Sequence, residues 1–166
     1  MIEMLIASTI FVITSMGVLG LIASSIVTNN RNKVDSTQAM LASAIMEQVT
    51  STVINSGASS LTDCAGTTHT IETTIGGAEL DGETIDFTEA DPEEGHFMDY
   101  VVNTPCEADG ALQAIYDVRW NIQVVGAAVS LPTNTYLITV AAQQKGKGAG
   151  DLYSAAPVTL RMMAGN

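Results

Sequence analysis

The chain has 166 residues, a formal net charge of −12 and a mean hydropathy of +0.26, values that suit one membrane segment and one modest domain. Its six Lys and Arg residues are scattered, and most of its carboxylates follow Cys64. Because phosphate binding needs clustered basic residues, this distribution argues against a nucleic-acid partner and against an anionic lipid surface as a partner of the acidic part.

An uncharged apolar run occupies residues 4–28 and follows Glu3, the only charged residue among the first thirty. The run contains no Pro, and at about 1.5 Å per residue a helix of this length crosses a hydrocarbon core of about 30 Å. It is too long for the core of a cleaved signal peptide and lacks the basic flank of one. A lone carboxylate at the end of such a helix is costly unless it is paired, so Glu3 is a candidate functional residue.

The helical pattern continues past Arg31 and Lys33 to residue 55. Four apolar residues recur at intervals of four and define the face predicted to dock on the rest of the chain: Leu41, Ile45, Val49 and Val53. No Gly or Pro separates this stretch from the apolar run. The sequence therefore predicts one continuous helix of about fifty residues that ends near Gly57.

Residues 57–166, here called the head, have the pattern of β-strands. Alternation predicts strands at 71–75, 116–124 and 136–142, and a further strand is predicted at 158–163. The last three strands are expected to form an antiparallel sheet with one face on the helix. The predicted fold class is therefore α+β, a long N-terminal helix packed on an antiparallel β-sheet.

Residues 76–95, here called the acidic segment, are rich in carboxylates and in turn-forming residues, which predicts an exposed loop or short hairpin. Seven carboxylates of this segment are candidate calcium ligands: Asp81, Glu83, Asp86, Glu89, Asp91, Glu93 and Glu94. Ca²⁺ takes about six to eight oxygen ligands, but the spacing does not match an EF-hand loop. A solvated acidic loop is the interpretation that the sequence favours, and no metal site is predicted.

Two cysteines, Cys64 and Cys106, lie far apart, and neither belongs to a CxxC motif. If the head lies outside the cytoplasm, one disulfide is the simplest interpretation, and two buried free thiols are the alternative. The two histidines, His69 and His96, have no second ligand at zinc-like spacing and are predicted to be surface or packing residues. The sequence predicts neither a cofactor nor an enzyme activity.

The stretch MIEMLIASTIFVITSMGVLGLIAS, residues 1–24, resembles the mature N-terminus of type IV pilins and pseudopilins. In that family a prepilin peptidase cuts before a short run that ends in a similar apolar–glutamate–apolar sequence, and the new N-terminal amine is methylated. The family glutamate stands two positions further from the mature N-terminus than Glu3 does, so two residues are expected to be missing before Met1. The stem proline of many members is absent, and Gly17 and Gly20 stand near its place.

The resemblance implies that Glu3 pairs with the N-terminal amine of another subunit. Such a pair attracts by roughly 4 kcal/mol at about 4 Å and an effective dielectric of about 20. It also implies three parts: a transmembrane and filament-core helix at 1–30, here called the stem, its amphipathic continuation at 31–56, and the head. The stem residues expected in the filament core are Leu5, Ile6, Ile10, Phe11, Ile13, Leu19 and Ile22.

The function that the resemblance implies is a non-enzymatic structural subunit of an extracellular type IV pilus-like filament. The expected partners are identical subunits and, before polymerisation, the inner membrane and the pilus assembly machinery. The chain is then expected to pass from the inner membrane to the cell surface. A minor pilin or a type II secretion pseudopilin is one alternative, and a non-polymerising single-pass anchored binding protein is another.

Overall fold

A computed structural model describes residues 2–52, 54, 56–125, 135–145 and 156–165 of the chain. The chain divides into two compact units, residues 1–34 and residues 35–166. The fold is α+β, with one long N-terminal helix packed on antiparallel β-sheets, as the sequence predicts. Val53, which is predicted on the docking face of the helix, lies outside the described residues.

The helix α1 spans Ile2–Ser51 and runs past Arg31 and Lys33 without a break, so the prediction of one continuous helix is confirmed. Hydroxyl groups in its apolar part donate to carbonyls one turn earlier, as Thr9 does to Leu5 at 2.8 Å and Ser15 to Phe11 at 2.8 Å. These bonds satisfy the hydroxyl donors inside the helix, which makes the side chains compatible with an apolar environment.

The described part of the head contains nine strands: β1 (Ala58–Thr62), β2 (Thr68–Glu72), β3 (Gly76–Gly77), β4 (Leu80–Asp81), β5 (Thr84–Ile85), β6 (Phe97–Thr104), β7 (Ala111–Val124), β8 (Thr135–Lys145) and β9 (Val158–Gly165). One antiparallel sheet has β7 at its centre, with β8 and then β9 on one side. On its other edge β7 pairs first with β6 and then with β3. The predicted antiparallel arrangement of the last three strands is therefore confirmed, whereas β1–β2 and β4–β5 form separate hairpins.

The strand predicted at 71–75 is wrong in its extent, because β2 ends at Glu72. Thr73 still bonds to Gly57 in the same register, since its N–H and its hydroxyl both donate to the Gly57 carbonyl, at 3.2 and 2.7 Å. The chain bends at Thr74, whose carbonyl oxygen lies 3.1 Å from Nε2 of the distant His96. Ile75, which alternation places in the core, is 44% exposed. Two strands, β1 and β6, lack the alternation that marks a half-buried strand in sequence and become strands through their pairing with β2 and β7.

β7 is buried on both faces, although its alternation predicts a half-buried strand. One face carries the apolar residues predicted as core: Tyr116, Val118, Trp120 and Ile122. The other face carries three polar residues that are also buried: Asp117, Arg119 and Asn121. The acidic segment covers this second face, where the Asn121 side-chain amide donates to the Ala78 carbonyl at 2.9 Å. The segment contains the expected hairpin, β4–β5, but the prediction of an exposed loop is wrong for the part that covers the sheet.

In the second unit α1 buries one face in the core, and this face includes three of the residues predicted there: Leu41, Ile45 and Val49, which are 3%, 0% and 0% exposed. Gln38 is buried with them. With its amide oriented to satisfy both neighbours, Gln38 donates to the Ala156 carbonyl at 3.1 Å and accepts from the Gln144 N–H at 3.0 Å. The Tyr116 hydroxyl forms a hydrogen bond with Thr37. These polar contacts set the rotation of the helix over the sheet.

Gly77 lies where β3 meets β7, with a φ of +111°. A Cβ there would lie 2.4 Å from the Trp120 carbonyl oxygen and 2.7 Å from His96 Cδ2. We expect Gly77→Ala to destabilise the head by about 2–5 kcal/mol, because strained backbone and a steric clash both add to the cost. The measurement is denaturant unfolding of the full chain in detergent micelles, followed by the fluorescence of Trp120, the single tryptophan.

Gly82→Ala is the matched control for this substitution. Gly82 also has a positive φ, +64°, but a Cβ at this position would have no atom within 4 Å. Its loss should therefore be limited to about 1 kcal/mol, the cost of a left-handed backbone for alanine. Equal losses for both variants would contradict the assigned close approach of β3 to Trp120.

Candidate functional site

The described stem residues, 2–30, present apolar side chains on every side of α1. Fourteen large apolar side chains there are at least 50% exposed, including each residue expected in the filament core: Leu5, Ile6, Ile10, Phe11, Ile13, Leu19 and Ile22. Because four of the fourteen occupy consecutive positions 10–13, this surface has no polar side to face water. Burial of each such side chain is favourable by about 1.5–3 kcal/mol, so the stem requires lipid or other protein around it.

By length and composition, α1 is able to cross a membrane or to act as a signal anchor. None of its most apolar stretch is buried within the described structure, which distinguishes it from the core helix of a water-soluble domain. The apolar stretch therefore constitutes an unsatisfied surface of the chain, and it is the first candidate functional site.

Glu3 lies in the first turn of α1 and is exposed. A carboxylate there is stabilised by the helix dipole and by the unpaired N–H groups of the first turn, by about 0.3–1 kcal/mol. A carboxylate within a bilayer costs about 2.5 kcal/mol or more, so the helix end alone does not compensate for it. The pilin resemblance assigns to Glu3 the N-terminal amine of another subunit, so the structure of one chain does not contain this pair.

Cys64 and Cys106 form a disulfide, with their Cα atoms 4.6 Å apart. The alternative of two free thiols is therefore wrong. The bond connects the turn between β1 and β2 to the connection between β6 and β7. With a sequence separation of 42 residues, it stabilises the head by about 4 kcal/mol in the chain-entropy model. Disulfides of this kind persist in oxidising compartments.

Asp63 is buried beside this disulfide and organises the β1–β2 turn. Its carboxylate accepts from the Thr67 N–H at 2.8 Å and the Val101 N–H at 3.3 Å, and it lies 3.3 Å from His69 Nε2. Burial raises the pKa of Asp63, but the bonds from Thr67, His69 and Val101 outweigh it and hold that pKa below its ordinary value. The Cys64 N–H donates to the Val101 carbonyl at 3.1 Å, so the turn is bound to β6 by backbone as well as by side chain.

Arg119 is buried between β7 and the acidic segment. Its Nε and Nη2 donate to the two carboxylate oxygens of Asp117, at 3.0 and 2.9 Å, which is the strong bidentate geometry. Its Nη1 donates to the backbone carbonyls of Asp86 and Glu89, at 3.3 and 3.1 Å. The Phe87 ring centre lies 5.4 Å from the guanidinium carbon. One cation therefore joins the second face of the sheet to the acidic segment.

The charge state of Arg119 follows from these contacts. Burial lowers the pKa of Arg119, but the hydrogen bonds and charge of Asp117 and the charges of Glu89 and Asp99 raise it above its ordinary value. These contacts favour the charged form of the guanidinium group. Its four hydrogen bonds, two to Asp117 and two to backbone carbonyls, need the forked donors of a guanidinium group, which a lysine ammonium lacks.

Carboxylates of the acidic segment bond to the segment's own backbone. Glu93 accepts from the Gly77 N–H at 2.7 Å, and Glu89 accepts from the Glu79 N–H at 2.9 Å. Hydrogen bonds from the hydroxyl and N–H of Thr88 lower the pKa of Asp86. Among the described residues, no group of three or more His, Cys, Asp or Glu side chains is placed to hold a metal ion.

His96 is buried against the indole of Trp120, with ring centroids 6.0 Å apart. Its Nε2 lies 3.1 Å from the Thr74 carbonyl oxygen. The main chain of His96 also joins the acidic segment to β7, since its carbonyl accepts from the Trp120 N–H at 3.0 Å. These contacts make His96 a packing residue, as predicted from the sequence.

Sequence reasoning misses the roles of Asp63 and Arg119. Alternation assigns Arg119 to the solvent face of a half-buried strand. One signal was present: Asp117 and Arg119 share a strand face, while the acidic segment has eight carboxylates and no Lys or Arg to balance them. No comparable signal marks Asp63, because its partners Thr67 and Val101 meet it only through a turn and a distant strand.

Comparisons with known proteins add no match to these observations. No protein-family model matches the chain, and neither a curated protein nor a solved structure matches it. The resemblance to type IV pilins therefore rests on residues 1–24. The function has to be argued from the stem surface, Glu3 and the disulfide-bonded head.

Replacement of Arg119 by methionine is expected to destabilise the head by about 3–5 kcal/mol, since it leaves the buried Asp117 carboxylate without its partner. Arg161→Met is the matched control, because Arg161 pairs at 3.1 Å with Glu83, whose side chain is 85% exposed. That variant should lose less than about 1 kcal/mol. Denaturant unfolding with Trp120 fluorescence measures both. If the double variant Arg119→Met, Asp117→Leu were no more stable than Arg119→Met alone, the loss could not be assigned to the unpaired carboxylate.

The lowered pKa of Asp63 predicts a pH dependence. A carboxyl group whose pKa is lower in the folded state contributes stability above its unfolded pKa of about 3.9, and that stability is lost as the pH falls through the folded value. Asp63→Asn should therefore lower the free energy of unfolding by about 1–3 kcal/mol at pH 7 and by less near pH 3. Unfolding curves at the two pH values test this expectation. Equal destabilisation at both would show that the charge of Asp63 is not responsible.

Proposed function

We propose that this chain is a structural subunit of a type IV pilus-like filament and polymerises through its N-terminal helix. The observation that carries the proposal is the stem, which is apolar on all sides and exposes at least half of each of fourteen large apolar side chains. Lipid can cover such a surface before assembly, and identical stems packed side by side can cover it afterwards. The resemblance of residues 1–24 to mature pilins supports the second arrangement.

The position of Glu3 favours a polymerising stem over a simple membrane anchor. A membrane anchor gains only about 0.3–1 kcal/mol from a carboxylate in the first turn of its apolar helix, which is less than the cost of that carboxylate in a bilayer. In a filament, the carboxylate can pair with the N-terminal amine of another subunit. This pairing removes two unfavourable charges in one step, which makes movement from the bilayer into the filament favourable.

The head supports an extracytoplasmic location for the subunit. Its Cys64–Cys106 disulfide is suited to an oxidising compartment. The net charge of −12 belongs mainly to the head, and repulsion between acidic heads on a filament surface would keep neighbouring filaments soluble and separate. A minor pilin or a secretion pseudopilin would use the same stem and differ in stoichiometry.

Glu3→Ala and Glu3→Val are expected to abolish or strongly reduce filament assembly while the chain still inserts into the membrane, because the apolar helix is unchanged. Glu47→Ala is the matched control, since Glu47 is an exposed glutamate of the same helix outside the stem. Electron microscopy of sheared filaments, with immunoblots of the membrane fraction, measures both properties. Normal filament yield from the Glu3 variants would refute the proposed role.

N-terminal mass spectrometry of the mature chain provides an independent check. A methylated N-terminal residue is expected if the chain is processed as a pilin. An unmethylated chain that remains in the membrane fraction and forms no filaments would favour an anchored binding protein. Mass spectrometry of the main band of purified filaments then distinguishes a major subunit from a minor one.

A further inference from the structure

The free edges of β2 and β6 face each other across a gap in the head. At one end of the gap, the Glu72 N–H donates to the Gly95 carbonyl at 2.9 Å. At the other end, the Cys64 N–H donates to the Val101 carbonyl at 3.1 Å. The two strands are therefore joined at both ends of the gap, yet they form no ladder between these contacts.

The ladder does not close because the two end contacts are out of register. If β2 and β6 paired as antiparallel strands in the register of the Glu72–Gly95 contact, Gly66 would lie opposite Val101. The chain instead places Cys64, two residues earlier, against Val101, and the tight turn stabilised by Asp63 takes up the difference. The disulfide of Cys64 holds this offset, so the gap is a built feature of the fold.

The gap is a cavity of about 360 Å³ that is open to solvent. Its lining residues come from both strands and the connection before β6: Thr68, His69, Thr70, Glu94, Gly95, Phe97, Met98 and Asp99. Backbone groups on alternate residues of a strand point to opposite edges. Glu72 of β2 and Val101 of β6 direct their backbone groups across the gap. By the same alternation, the backbone groups of Thr68 and Thr70 in β2 point into the gap. Those of Phe97 and Asp99 in β6 do so from the other side. The carbonyl acceptors of these four residues therefore line both walls, together with their N–H donors.

The charges at the cavity are mainly negative. Asp99 is bound by Lys145, whose Nζ lies 2.9 Å from both of its oxygens. His69 bonds to Asp63. Glu94 forms no ion pair with any described residue, which leaves one carboxylate of the cavity without a compensating cation. The Phe97 ring, 37% exposed, adds an aromatic wall.

We propose that this cavity, the β2–β6 slot, binds the guanidinium group of an arginine side chain from a partner polypeptide. A guanidinium group is a flat cation with only donors, and it suits carbonyl acceptors, a carboxylate and an aromatic ring. The contacts at both ends of the slot exclude a through-running peptide strand but admit a side chain. A volume of about 360 Å³ lies in the range of small-ligand pockets. The inference does not depend on filament formation.

The test is titration of the isotopically labelled full chain, in detergent micelles, with N-acetyl-arginine amide, observed by amide NMR. Saturable shifts confined to Thr68, Thr70, Phe97, Asp99 and their neighbours are expected. N-acetyl-citrulline amide has the same shape without the charge and should bind about tenfold more weakly. Equal affinity for citrulline or for N-acetyl-lysine amide, or the lack of a saturable shift, would overturn the proposal. Free arginine carries an extra carboxylate, and if it bound as tightly as the capped form, the assignment to a polypeptide would be wrong.

Glu94→Gln is expected to weaken binding of the arginine probe about tenfold, since it removes the uncompensated carboxylate. Glu107→Gln, the same change at an exposed glutamate outside the slot, should leave binding unchanged. The amide spectrum of each variant shows whether the head remains folded. Undiminished binding by a folded Glu94→Gln variant would overturn the assigned recognition, and an equal loss in both variants would show a general effect of charge.

Discussion

The head depends on the burial of β7 from both sides. A strand that is covered on one face by α1 needs a second layer over its other face, and that face carries Asp117, Arg119 and Asn121. The bidentate Arg119–Asp117 pair makes this polar face tolerable in the interior, because each charge satisfies the other. Arg119 then reaches the carbonyls of Asp86 and Glu89, so a buried cation helps to hold the acidic segment, with its eight carboxylates, over the sheet. Removal of that cation would leave the Asp117 carboxylate buried without a partner and would weaken the attachment of the acidic segment to the sheet.

A second set of constraints acts at the β1–β2 turn. Asp63 and the Cys64–Cys106 disulfide bind this turn to β6 and to the loop that follows β6. The same offset that secures the turn prevents β2 and β6 from joining into one sheet, and the unpaired edges line an open cavity. Stability and a candidate binding slot therefore have one structural origin. Because backbone groups line the slot, side-chain substitutions would alter its charge more readily than its shape.

The stem follows a different principle from the head. The head bonds buried charged groups such as Asp63 and Arg119 internally and encloses an apolar core, whereas residues 2–30 leave large apolar side chains exposed around the helix. Hydrogen bonds from Thr9 and Ser15 to earlier carbonyls satisfy hydroxyls without water, so this part of the chain is suited to lipid or to other helices. Glu3 is the exception at its end. The proposed filament gives both features one explanation, since packed stems cover the apolar surface and a neighbouring amine compensates the carboxylate.

Much of this architecture follows from local pattern. Apolar run length predicts the long helix, four-residue spacing predicts burial of Leu41, Ile45 and Val49, and alternation predicts β7 and β8. These features depend on the spacing of apolar residues along the chain, which the amino-acid sequence alone determines. Tertiary structure alone decides that β2 stops at Glu72, that β1 and β6 are strands, that the acidic segment covers a buried arginine, and that β2 and β6 remain apart. Each of these depends on hydrogen bonds or ion pairs between residues distant in sequence, and such pairs leave no periodic trace in the chain.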